Sequence, residues 1–188
     1  MVPHGRINRL ISLAILLLSL TFGVRVPAQA EVLAIGQLAP RLVATEINGK
    51  VFDSSRLRGQ VIIVNFWATW CGPCRAEMPI LDRFYRAFRG RGLALIGISV
   101  DRWADRDKVK AVMNAFAYPA ALNNEATVDD FPRPEAIPIT YVIDRAGVLR
   151  RVMRPDRVAI TAETLAVTIL PLLEEKTAPD PSGLSASR

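Results

Sequence analysis

Apolar residues along this chain fall into patterns of distinct length and period. The first is Leu10 to Val24 (LISLAILLLSLTFGV), an unbroken stretch of apolar and small residues. Arg6 and Arg9 precede it, no acidic residue occurs before Glu31, and the small-x-small triplet Ala28-Gln29-Ala30 follows. That order predicts a secretory signal over residues 1–30, cleaved after Ala30. The alternative is a retained membrane anchor. A spanning helix needs about 20 apolar residues, and Arg25 closes this run at fifteen, which favours cleavage. Both readings place the folded part outside the cytoplasm, and no Cys lies near the cleavage site to take a lipid.

Beyond the leader, Val61 to Trp67 (VIIVNFW) and Leu93 to Val100 (LALIGISV) are continuous apolar runs, the pattern of strands buried on both faces. Between them Ile80, Leu81, Phe84, Tyr85 and Phe88 recur at helical spacing until Gly90 and Gly92 end the pattern. Val109, Val112, Met113 and Phe116 form a second helical stripe, predicting a helix that runs to Ala117 with Asp101 or Asp105 as its cap. Thr161 to Leu173 reads as a closing helix. Asn48-Gly49, between Leu42–Ile47 and Val51–Phe52, predicts an N-terminal β-hairpin, and Ser54 to Gly59 a helical turn. A second hairpin joins Ile139–Ile143 to Val148–Met153 through Arg145-Ala146-Gly147. Tyr118 to Glu135 reads as loop, and the polar Pro/Ser/Ala-rich residues 175–188 as a tail without fixed structure. No internal repeat occurs. The order hairpin, strand, helix, strand, helix, hairpin, helix predicts an α/β domain over residues 31–174. Its central mixed sheet, covered on both faces and flanked by helices, ends in an antiparallel pair.

Composition narrows the function. Half of the residues are hydrophobic, enough to bury a core. Of the formal charge of +6, Arg6, Arg9 and Arg25 carry three, leaving +3 for residues 31–188. The basic residues are scattered rather than set in a stripe with interleaved aromatics, which argues against nucleic acid as a partner. Two clusters, Arg83/Arg86/Arg89/Arg91 and Arg150/Arg151/Arg154/Arg157, read as a solvated helix face and an exposed strand end. The single histidine, His4, lies in the leader, so the mature chain has no imidazole for acid–base work or metal ligation.

The chemistry concentrates in Trp70-Cys71-Gly72-Pro73-Cys74, which holds the only two cysteines, directly after a buried strand and directly before an amphipathic helix. At a helix N-terminus Cys71 meets unpaired N–H groups and the positive end of the macrodipole. Both favour thiolate over thiol, lowering the pKa from about 8.5 toward the range of about 3.5–7.5 seen for such motifs. Cys74, one turn inward, can attack a mixed disulfide formed at Cys71, and Pro73 suits an early helical position. A zinc site would need four ligands where one CxxC supplies two. A purely structural disulfide across so short a loop would remove little chain entropy.

The run Asn65 to Pro79 (NFWATWCGPCRAEMP) resembles the active-site segment of the thioredoxin superfamily, specifically the extracytoplasmic disulfide reductases of the TlpA/ResA/CcmG type. Ile137-Pro138-Ile139-Thr140-Tyr141-Val142-Ile143-Asp144 is similar to that family's cis-proline loop and following strand. Gly49-Lys50-Val51-Phe52 resembles the hairpin that such proteins carry before the core. The likeness covers residues 36–174. It implies a thioredoxin-like fold, a cis bond between Ile137 and Pro138, and a substrate-binding role for Trp70, Ile137 and Pro138. Trp70 reads equally as a plain core aromatic, and Pro79 is expected to kink its helix. Asn65 stands where thioredoxins themselves carry a buried Asp, so a proton acceptor for Cys74 must come from elsewhere. Glu77 is the candidate, as the resemblance implies, with first-turn charge compensation as its alternative role. Ala136 replaces a glycine often found two before the cis-proline, and Pro132, Arg133 and Pro134 crowd its approach.

These readings converge on a thiol–disulfide oxidoreductase whose redox centre is Cys71–Cys74 itself, with no cofactor and no metal. A reductase of protein disulfides is favoured, since Gly-Pro is the dipeptide of reducing thioredoxins. The resemblance implies a membrane thiol donor of electrons, and a monomer is expected. A net oxidase or isomerase, or a non-catalytic interaction module, is the alternative. A peroxidase fits less well, because Thr69 lies two rather than three residues before Cys71. The substrate stays open among apocytochrome c, a copper-site protein and a general pool of misoxidised proteins.

Overall fold

The structure is a computed structural model that describes residues 33–127, 131 and 136–175. The leader read at residues 1–30, residues 176–188 of the expected tail, and Pro132, Arg133 and Pro134 lie outside the described residues.

Seven strands form one mixed sheet in the order β2-β1-β5-β4-β3-β6-β7. In chain order the elements are β1 (Val43–Glu46), β2 (Val51–Asp53), β3 (Val61–Trp67), α1 (Gly72–Phe88), β4 (Leu93–Ser99), α2 (Arg106–Met113), β5 (Ala120–Thr127), β6 (Ile139–Ile143), β7 (Leu149–Met153) and α3 (Ala162–Glu174). The largely apolar β3 and β4 pair in parallel at the centre and are buried along their whole length. β4 also pairs in parallel with β5, while β6 and β7 add antiparallel to the other side of β3. The Asn48-Gly49 hairpin forms as expected: Gly49 takes φ +85°, and the Glu46 N–H donates to the Lys50 carbonyl.

Alternation along the strands divides the core in two. Val61, Ile63 and Trp67 of β3 join Leu93 and Leu95 of β4 in one cluster, and Ile62, Val64 and Phe66 join Ala94, Ile96 and Ile98 in the other. Met78, Leu81 and Phe84 of α1, Val109 and Met113 of α2, and Leu165, Ile169, Leu172 and Leu173 of α3 all belong to the first cluster. The reason is topological. β3 to β4 and β4 to β5 step in the same direction along the sheet, so right-handed crossovers put α1 and α2 on the same face. The second face is covered by Leu33, Leu42, Phe52 and Phe131 rather than by an α-helix among the described residues.

Three expectations are corrected. Tyr118 to Glu135, read as loop, contains β5. Its sequence AALNNEAT lacks the apolar alternation of a strand, and pairing decides the matter. Its buried start lies against β4, and its polar remainder pairs with β1. The second helical stripe ends at Met113 rather than Ala117: the Ala115 and Phe116 N–H groups turn to carbonyls three residues back, at Val112 and Met113, and the Asp82 carboxylate takes the Ala117 N–H at 2.6 Å. Asp105 precedes α2 but makes no side-chain cap. Its carboxylate is held by Lys108 and Arg102, and Asp101 is engaged elsewhere.

Candidate active site

α1 begins directly beyond the end of β3, with Cys71 as its N-cap residue in extended conformation. The Cys74 N–H donates to Cys71 Sγ at 3.2 Å, the Cys71 carbonyl accepts from Arg75 N–H, and Pro73 sits in the first turn, where it removes no helical hydrogen bond. Cys71 and Cys74 form a disulfide with Cα atoms 5.3 Å apart. Both residues are buried in this oxidised state, Cys71 at 6% exposure and Cys74 at 2%. Although Cys71 sits at the open end of the helix, only a small edge of it reaches solvent, because the Ile137–Pro138 segment lies against it. The Ile137 carbonyl oxygen is 3.9 Å from Cys71 Sγ, and the Ile137–Pro138 peptide bond is cis. Trp70 is 71% exposed, which removes its reading as a core aromatic and leaves an indole beside the disulfide open to solvent.

Glu77 lies three residues after Cys74 on the same helix and therefore on the same face. It is buried, and burial pushes its carboxyl up to about 7, opposed by a backbone hydrogen bond from Ile160. The first turn of α1 holds no acidic residue, so Glu77 does not serve as first-turn compensation for the helix dipole. Asn65 is also buried, and its Nδ2 donates to Thr140 Oγ1 at 2.8 Å, joining the paired positions of β3 and β6. Its amide is thus occupied within the sheet. α1 continues through Pro79 to Phe88, and Arg75 points to solvent.

The structure adds a group that sequence reasoning had placed as a helix cap. Asp101 is buried, and its carboxylate accepts from Thr69 N–H at 2.8 Å, Thr69 Oγ1 at 2.7 Å and Ser99 Oγ at 2.7 Å. The signal was available only in part. β3 and β4 end level with one another at Trp67 and Ser99, and that register, absent from the sequence, is what brings Asp101 to Thr69.

Residues 35–152 match the AhpC/TSA family. The chain belongs to that family, whose members are thioredoxin-like. It is 30% identical over 149 residues to the thiol-disulfide oxidoreductase ResA of Bacillus thuringiensis (strain Al Hakam), a match that covers 74% of this chain and 84% of the relative. Among solved structures it resembles a thiol:disulfide interchange protein of the thioredoxin family from Chlorobium tepidum TLS. That pair has a TM-score of 0.64 and 27% identity, over 74% of this chain and 98% of the other. A secreted thiol-disulfide isomerase from Corynebacterium glutamicum shares the fold, with a TM-score of 0.63 and 24% identity over 74% of this chain and 86% of the other. The fold is therefore thioredoxin-like, a mixed sheet with flanking helices and the Cys71/Cys74 pair in its CxxC motif. This family member is a thiol–disulfide oxidoreductase, and the family implies protein substrates exchanged through a cysteine disulfide.

Proposed function

We propose that this oxidoreductase reduces protein disulfides outside the cytoplasm, with Cys71 as nucleophile and Cys74 as resolving thiol. Cys71 thiolate attacks one sulfur of the substrate disulfide, forming a mixed disulfide and releasing the other substrate sulfur as a thiolate. Cys74 thiolate then attacks Cys71 Sγ, freeing the second substrate thiol and leaving the Cys71–Cys74 disulfide. Two electrons pass to the substrate in each cycle, so a dithiol donor must return two. A membrane thiol carrier is the proposed donor, residues 1–30 the export signal, and a monomer the working state.

The observation that carries the roles is the bond from Cys74 N–H to Cys71 Sγ at the start of α1. It supports a thiolate at Cys71, since the same donor and the helix end stabilise negative charge there. Glu77, one turn beyond Cys74 and holding its proton up to about 7, is suited to take the proton that Cys74 loses during resolution. The Ile137 backbone beside Cys71 supports docking of a substrate strand at Ile137 and Pro138, with Trp70 as its exposed border.

The direction follows from how far the reduced form is stabilised. Strong oxidants of this fold sit near about −120 mV and thioredoxin near about −270 mV, a gap of roughly 7 kcal/mol for two electrons. Here the helix end favours the Cys71 thiolate, but the cation nearest along the sequence, Arg75, is turned to solvent and the buried Glu77 opposes a second negative charge. Equilibration in graded glutathione buffers should therefore return a potential nearer the thioredoxin end. A value above roughly −180 mV, the level of a disulfide isomerase, would overturn the reductase direction.

A further inference from the structure

Asp101 is a buried carboxylate that the exchange chemistry does not use. Among the described residues no Arg or Lys lies within ion-pair distance of it; its bonds go to Thr69 N–H, the Thr69 hydroxyl and the Ser99 hydroxyl. Its own N–H donates back to Ser99 Oγ at 3.1 Å, closing the turn that leaves β4. A buried acidic group without a counter-ion is costly unless hydrogen-bonded, and two of its three side-chain bonds are spent on one residue of another loop. That residue, Thr69, lies two before Cys71 in the turn where Cys71 N–H donates to the Ala68 carbonyl at 3.2 Å. The ends of the turn, Ala68 and Cys71, are buried in the core, while Thr69 between them is half-buried and Trp70 exposed, so the two Asp101 bonds are what hold its middle.

We propose that Asp101 is a positioning residue for the Cys71 nucleophile. By gripping both the N–H and the hydroxyl of Thr69, it locks the Ala68–Cys71 turn to the end of β4. This holds Cys71 Sγ against the start of α1 and beside the Ile137 carbonyl. The inference rests on Cys71 being the attacking thiol and deepens that reading.

The arrangement dictates which substitutions keep it. Asp101→Asn preserves it, because a carbonyl oxygen at the Oδ2 position accepts from Thr69 N–H and Ser99. The new amide at Oδ1 donates to the Thr69 hydroxyl, which turns to accept. Asp101→Ala removes every side-chain bond, whereas Thr69→Val removes only the hydroxyl bond at 2.7 Å and Thr69→Ser keeps both bonds.

The test uses the full chain carrying Cys74→Ser, so that Cys71 is its sole thiol, with oxidised glutathione as the disulfide. The second-order rate of mixed-disulfide formation is read beside the urea midpoint. Asp101→Ala should slow attack by about tenfold or more, since misplacing a reacting group by about 1 Å costs up to about a hundredfold. Asp101→Asn and Thr69→Ser should stay within about threefold of the parent, and Thr69→Val should fall between. An alanine variant that loses stability yet attacks at the parent rate would overturn the proposal, because Asp101 would then only support the loop. An asparagine variant as slow as alanine would also overturn it, because charge rather than position would be acting. If Asp101→Ala does not fold, Thr69→Val decides, and a parental rate there refutes the grip. Failure of the nucleophile assignment itself looks different: the reduced parent with both cysteines would then be alkylated first at Cys74.

Discussion

Replacing Glu77 by Gln probes the buried carboxyl directly through the pH dependence of stability. In the oxidised protein burial lifts Glu77 from its ordinary 4.5 to about 7. Because the folded value lies above the unfolded one, the folded chain holds the proton more tightly. The stability this contributes is complete below about 4.5 and is lost as pH rises through about 7. At about 1.4 kcal/mol for each tenfold change in proton affinity, the full span amounts to about 3 kcal/mol. Gln has nearly the same shape, carries no charge and can still accept the Ile160 N–H. Glu77→Gln should therefore match the parent near pH 4.5 and exceed it by up to about 3 kcal/mol at pH 8, with its own stability nearly flat between. Few other groups interfere in this window, since residues 31–188 contain no histidine. Urea unfolding of both oxidised proteins at half-unit pH steps, read by circular dichroism, measures the difference. Parallel curves, or a parent that gains stability as pH rises, would refute the argument and place Glu77 in a solvated setting.

Two further outcomes are expected. On brief alkylation of the reduced protein, Cys71 should be modified before Cys74, because Cys74 is enclosed beneath the first turn of α1 and Cys71 keeps the only open edge; peptide mapping that finds Cys74 modified first would reverse their roles. Gly97→Ala should destabilise the fold by about 1–3 kcal/mol in urea, since the added Cβ would lie 2.9 Å from Trp67 Nε1 and 3.3 Å from Tyr118 Cε2, both on enclosed side chains; an unchanged midpoint would show that this packing yields freely.

What the sequence determined by itself is local. Strand period, helical period and turn chemistry operate over a few residues, so β3, β4, α1, both hairpins and α3 were legible, as was the Cys pair at the strand–helix junction. Likewise Gly49 had to take the left-handed conformation that its turn requires. What only the tertiary structure decided depends on register and on partners far along the chain. β5 has a polar sequence and exists because β4 and β1 supply its backbone bonds. α2 ends early, and the Ala117 N–H that a longer helix would have used goes to Asp82, 35 residues away. Cys71 is more covered than its helix-end position suggests because Ile137, 66 residues on, folds against it. The perturbed carboxyl of Glu77 follows the same rule, since an acidic residue in a helix reveals its spacing but not its burial. Asp101 is the clearest case. Its sequence position fits a helix cap, and only the level ends of two parallel strands bring it to Thr69. A side chain's reach is a few ångströms, and which groups lie within it is settled by how the strands pair.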